Sequence, residues 1–97
     1  MDVHISNRHC TITDAEYETA VSTAKRFEKF NLNIVRTDIL FEEVPLQNFC
    51  EITVRIHDHL LVAKETASDF TKAAHDAGLK MERQLAKIHD KYSTDRP

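Results

Sequence analysis

Glycine and proline are scarce in this sequence, with one of the first and two of the second in 97 residues, and tryptophan is absent. That composition excludes a Gly/Pro-rich linker or a low-complexity chain, and a single glycine rules out a Gly-rich phosphate loop. The two cysteines, Cys10 and Cys50, lie far apart with no paired spacing, so they read as reduced thiols of a cytosolic protein rather than a disulfide framework. No apolar run approaches the roughly 18 residues that a membrane span needs. The start, Met1 to Arg8, alternates apolar and polar and lacks the basic and then apolar stretch of a secretory signal. The expectation is a soluble, cytoplasmic protein with no membrane partner.

Catalytic signatures are missing too. There is no H-E-x-x-H and no nucleophile elbow. Cys50 falls on the inward side of a strand and reads as core. His57 and His59 form an H-x-H pair, but zinc asks for three or four convergent ligands and no cysteine stands at a fixed short spacing from them. The sequence therefore predicts no enzyme activity, no cofactor and no metal site.

What is present is a globular balance of 41% hydrophobic and 30% charged residues, enough for one compact domain. Residues 1–92 are expected to form it, with 93–97 a short polar tail. Net charge is −3 with histidines neutral, but it is segregated. From Thr37 to Val54 there is no Lys or Arg, while Asp38, Glu42, Glu43 and Glu51 fall inside; from Lys80 to Lys91 there are four bases against Glu82 and Asp90. Partners respond to local field, so an acidic protein can carry a basic working face.

Periodicity gives the elements. Val3 and Ile5 alternate with polar neighbours as a short strand. Thr13 and Glu16 have the spacing of a capping box, opening a helix with acids early and Lys25, Arg26 and Lys29 late. Tyr17, Ala20, Val21, Ala24 and Phe27 form its expected inner face. Ile34 to Glu43 is extended, with Val35, Thr37, Ile39 and Phe41 on one side. Pro45 and Asn48 mark a break. Cys50, Ile52, Val54 and Ile56 alternate cleanly, and Asp58-His59 turns into Leu60 to Glu65, predicting an antiparallel meander. Ser68 or Asp69 opens a long final helix with Phe70, Ala74, Ala77, Met81, Leu85, Ile88 and Tyr92 inward. The fold class is α+β: a two-layer sandwich in the order β-α-β-β-β-α, a four-stranded sheet with two helices packed on one face.

On the final helix Lys80, Arg83, Lys87 and Lys91 share one stripe, with Lys72 at its edge. Cations repeating every three or four residues are spaced about 5 to 6 Å apart, comparable to successive phosphates on a nucleic-acid strand. If the helices lie side by side, Lys25, Arg26 and Lys29 add a second ridge to a shared groove. His89 is expected near the stripe, as a further residue facing the anion.

The stretch Asp69-Phe70, Ala73-Ala74, Asp76, Lys80, Arg83-Gln84-Leu85, Lys87, Asp90-Lys91 resembles the closing helix of the hibernation-promoting factor and ribosome-associated inhibitor family. Ile5, Ile12-Thr13, Ala15 and Phe27-Glu28 are similar to that family's first strand and helix. The resemblance covers nearly the whole chain. It implies a domain that lies in the messenger RNA channel and transfer RNA sites of the small ribosomal subunit and inhibits translation in stationary phase or stress. It also implies contacts to ribosomal RNA phosphate and sugar from Lys80, Arg83, Lys87 and Lys91, with Arg26 matching on the first helix and Lys25 and Lys29 placed by position.

The chain departs from the family in being acidic where many relatives are basic, and in His89, where a further lysine is common. Ending soon after Lys91, it is expected to be the short form, drawing on a second hibernation factor if ribosome dimers form. Two other readings remain open from the residues. One is a general double-stranded RNA-binding module, since α-β-β-β-α is embedded in the order. The other is a protein-protein adaptor using the acidic Asp38 to Glu51 surface.

Overall fold

The computed structural model describes residues 1–94, with side chains through Lys91. The elements run β1 (Asp2–Arg8), α1 (Asp14–Arg26), a short 3-10 turn (Phe27–Phe30), β2 (Ile34–Val44), β3 (Gln47–Ile56), β4 (His59–Ala67) and α2 (Phe70–Thr94). The capping box forms as expected: Thr13 Oγ1 accepts from the Glu16 amide at 3.1 Å and Glu16 Oε1 accepts from the Thr13 amide at 2.8 Å. Asp69 opens α2, its carboxylate accepting from the Lys72 amide at 2.7 Å.

The sheet order is β1-β2-β3-β4. β1 pairs parallel with β2, which requires a crossover, and α1 supplies it. β2, β3 and β4 form the antiparallel meander, turning at Pro45-Leu46 and at His57-Asp58. Leu46 has φ 67° and an entirely exposed side chain, so this hairpin tip carries both a left-handed non-glycine residue and a solvated apolar group.

Both helices cover one face of the sheet. Between the layers lie Phe27, Ile39, Phe41, Cys50, Ile52, Val54, Met81 and Leu85, all fully buried, and Phe41 meets Phe70 edge to face at 5.3 Å. Three expected core residues lie outside this layer, the partly buried Val21 of α1 among them. Val35 is half exposed because β2 shifts register between Ile34 and Arg36 against β3, so that Ile34 turns inward in its place. Tyr17 is also half exposed, because α1 is rotated to bury Thr23 with Ala20 and Ala24. Gly78 of α2 leaves room for this rotation, since it has no side chain at the point where Thr23 approaches. The Tyr92 side chain lies outside the described residues. The α2 backbone continues through Thr94, and the remainder of the expected tail, 95–97, also lies outside them.

Cys50 is fully buried, and burial, helped by the neighbouring Glu51, pushes its thiol from an ordinary 9.0 up to about 12. The unfolded chain loses this proton near its ordinary value while the folded chain keeps it, so the site's contribution is constant below that value and declines as pH rises towards 12. Iodoacetamide at pH 8 is therefore expected to modify the partly exposed Cys10 and spare Cys50 until denaturant is added. Labelling of Cys50 in the native chain at the rate of Cys10 would contradict this burial.

Candidate nucleic-acid interface

With about 100° per residue, α2 has an inward stripe of Met81 and Leu85 and two opposite flanks. One flank overhangs β4, an edge strand of the sheet. Lys80 Nζ sits 2.7 Å from Glu65 Oε1 and donates to the Lys64 carbonyl at 3.2 Å, and Gln84 Nε2 donates to the Val62 carbonyl at 2.9 Å. These two side chains occupy backbone acceptors of β4, which limits the edge's capacity to pair with another strand. Arg83 and Lys87 point into solvent, and among the described residues neither has a carboxylate within 4.0 Å. Lys91, exposed, continues the row at helical spacing. A groove of about 660 Å³ separates this flank from the sheet, lined by Glu51, Val62, Lys64, Lys80, Arg83 and Gln84.

Lys72 contributes less to this surface, because it pairs with Asp76 at 2.7 Å. That contact raises the Lys72 pKa and lowers that of Asp76, the shared hydrogen bond being the main cause of both.

The expected groove shared with α1 does not form. α1 packs against the other flank of α2, where Arg26 Nη2 lies 3.1 Å from Glu82 Oε2 and Lys29 Nζ pairs with Glu82 Oε1. Lys25 is exposed on α1 and has no carboxylate within 4.0 Å among the described residues. Helical spacing puts His89 on the same flank as Glu82, away from Lys80 and Lys87, and its ring lies 3.7 Å from Asp90. The structure thus brings Lys80, Arg83, Lys87 and Lys91 together and separates them from Arg26, Lys29 and His89.

Sequence reasoning missed Lys64 and Gln84. Lys64 was signalled only by its outward place in the β4 alternation, and Gln84 by its spacing one turn beyond Lys80.

Of the acids between Thr37 and Val54, Asp38, Glu42 and Glu51 alternate onto the sheet face away from the helices, where they meet bases from neighbouring strands or from their own. Register sets Arg8 opposite Glu42, 4.0 Å apart, and Lys64 opposite Glu51, at 3.9 Å. Arg36 grips Asp38 with Nε and Nη2 at 2.9 to 3.1 Å. Only the exposed Glu43 in this group has no cation within 4.0 Å among the described residues, so the acidic surface read from the sequence is largely neutralised. No three His, Cys, Asp or Glu residues converge on a metal-sized position among the described residues, and no helix there is long and apolar enough to cross a membrane.

A four-stranded sheet with β1 parallel at its edge, two helices on one face and a cationic flank on the closing helix defines a particular class of small α+β domain. Over residues 3–93 the sequence matches the family described as sigma 54 modulation protein / S30EA ribosomal protein, and the chain belongs to that family. Comparison with curated proteins returns no match. Among solved structures, a ribosomal subunit interface protein from Coxiella burnetii superposes with a TM-score of 0.84 at 20% identity, covering 91% of this chain and 97% of that one. The N-terminal domain of Thermus thermophilus Protein Y gives 0.81 at 19% identity, covering 91% and 99%. At these identities the likeness establishes the fold.

Proposed function

We propose that this protein binds the small ribosomal subunit in the messenger RNA channel and transfer RNA sites and inhibits translation in stationary phase or stress. The observation that carries the reading is the pair Arg83 and Lys87, exposed without acid partners among the described residues on the closing helix of a chain in this family. Lys80, partnered by Glu65, and Lys91 extend the same row, and Lys64, partnered by Glu51, lines the groove beside it. Cations on a rigid helix meet phosphate and sugar at fixed spacing, so the protein reads the shape of folded RNA rather than a base sequence. It acts by occupancy, without catalysis. Any ribosome dimers would draw on a second hibernation factor. The neutralised outer sheet face counts against an acidic adaptor.

Order of addition tests the reading. Small subunits preincubated with the protein are expected to take up labelled initiator transfer RNA poorly, and excess transfer RNA and messenger RNA should reverse the block. Uptake unchanged at saturating protein would show that it binds elsewhere or not at all.

A further inference from the structure

Glu82 sits on the α1-facing flank of α2 with its side chain only 12% exposed, whereas the side chains of its partners Arg26 and Lys29 are 49% and 54% exposed. Each carboxylate oxygen takes one cation, Oε2 facing Arg26 and Oε1 facing Lys29. Two non-bridging oxygens of a phosphodiester present the same pattern, one acceptor to each cation. The carboxylate is the buried member of the cluster, and both cations keep about half of their side-chain surface exposed.

We infer that Glu82 is an internal counter-anion that holds Arg26 and Lys29 back from RNA phosphate and so lowers the affinity and salt sensitivity of the proposed ribosome-binding surface. The inference rests on the function proposed above and adds a regulating residue to it. An exposed cation already matched by a fixed carboxylate condenses less phosphate, because a phosphate that displaces the carboxylate must leave Glu82 mostly buried and unpaired. Arg83 and Lys87 bear no such cost. The chain therefore engages RNA with one flank of α2 while Arg26 and Lys29 are held in reserve.

Glu82→Gln keeps the shape and an acceptor oxygen while removing the charge. The control is Glu28→Gln, which makes the same charge change at an exposed position of the adjoining 3-10 turn that has no cation within 4.0 Å among the described residues. Both are compared with wild type for binding to small subunits across a potassium chloride series at fixed magnesium, and for elution from heparin. Each newly engaged phosphate steepens the dependence of log K on log salt by about 0.7 to 0.9. Glu82→Gln is expected to steepen it by up to about 1.4 to 1.8, to bind several-fold tighter at low salt and to elute later from heparin than Glu28→Gln. Equal behaviour of the two variants overturns the inference, and so does weaker binding by Glu82→Gln, which would make the pairs struts that shape the surface. If wild type itself ignores small subunits, the proposed function fails, and heparin elution alone decides whether Glu82 restrains the two cations.

Discussion

Reversing Arg83 and Lys87 together, as Arg83→Glu and Lys87→Glu, is expected to weaken small-subunit binding on the order of a hundredfold. Both side chains are exposed and have no internal acid partner among the described residues, so their full charge is available to RNA. A charge-assisted contact contributes about 1.5 kcal/mol or more, and about 1.4 kcal/mol is tenfold in affinity, so two contacts give about a hundredfold before repulsion is added. The salt dependence should flatten by about 1.4 to 1.8 as two phosphates are lost. Folding stability should change by less than about 1 kcal/mol in total, since neither residue packs in the core or holds a partner. Lys80 is a poorer first choice, because Lys80→Glu would face Glu65 and release the Lys64 carbonyl. A double variant that keeps wild-type affinity would remove this flank from the interface.

The largest effect on stability is expected where α1 crosses α2. A Cβ built on Gly78 would lie 2.7 Å from Thr23 Cγ2, closer than two carbon atoms tolerate. Thr23 cannot readily turn aside, because its hydroxyl donates to the Thr19 carbonyl at 2.8 Å and its side chain is buried. In an exposed helix Gly→Ala would gain about 1 kcal/mol, but overpacking a close helix contact costs typically 1 to 3 kcal/mol. Gly78→Ala is therefore expected to destabilise by up to about 2 kcal/mol, lowering the melting temperature by roughly 4 to 8 °C per kcal/mol in a domain of this size. Thr23→Ser removes Cγ2 and keeps the hydroxyl bond. In that background Gly78→Ala should turn from destabilising to neutral or stabilising, a coupling that a double-mutant cycle reads directly. If Gly78→Ala stabilises the chain with Thr23 intact, the helices are not in contact at this point.

The strand and helix order was legible because local signals agreed with one another. The Thr13-Glu16 box, the alternation from Cys50 to Ile56 and the long stripe from Phe70 to Leu85 each specify one periodicity and one inward side. Val35 misled because a bulge is invisible to alternation: one extra residue reverses the facing of everything before it. Tyr17 misled because a helix wheel does not show where the neighbouring helix is bare, and Gly78 decides that from more than fifty positions away in sequence.

The site was legible along one element and illegible between elements. Lys80, Arg83, Lys87 and Lys91 share a helix, so spacing alone places them on one flank. Whether Arg26 and Lys29 join them depends on which flank of α2 faces α1, and the answer brings in Glu82. Likewise the acids at Asp38, Glu42 and Glu51 looked like a surface until strand register and a neighbour two residues away supplied Arg8, Lys64 and Arg36. Charge counted along a chain and charge presented by a fold differ through such cross-element pairs.

Co-sedimentation of the purified protein with separated small and large subunits, across a series of salt concentrations, tests the central claim most directly. Wild type is expected to travel with the small subunit, to stay at the top of the gradient with the large one, and to leave the small subunit progressively as salt rises. Protein that stays at the top with small subunits even at low salt would contradict the account.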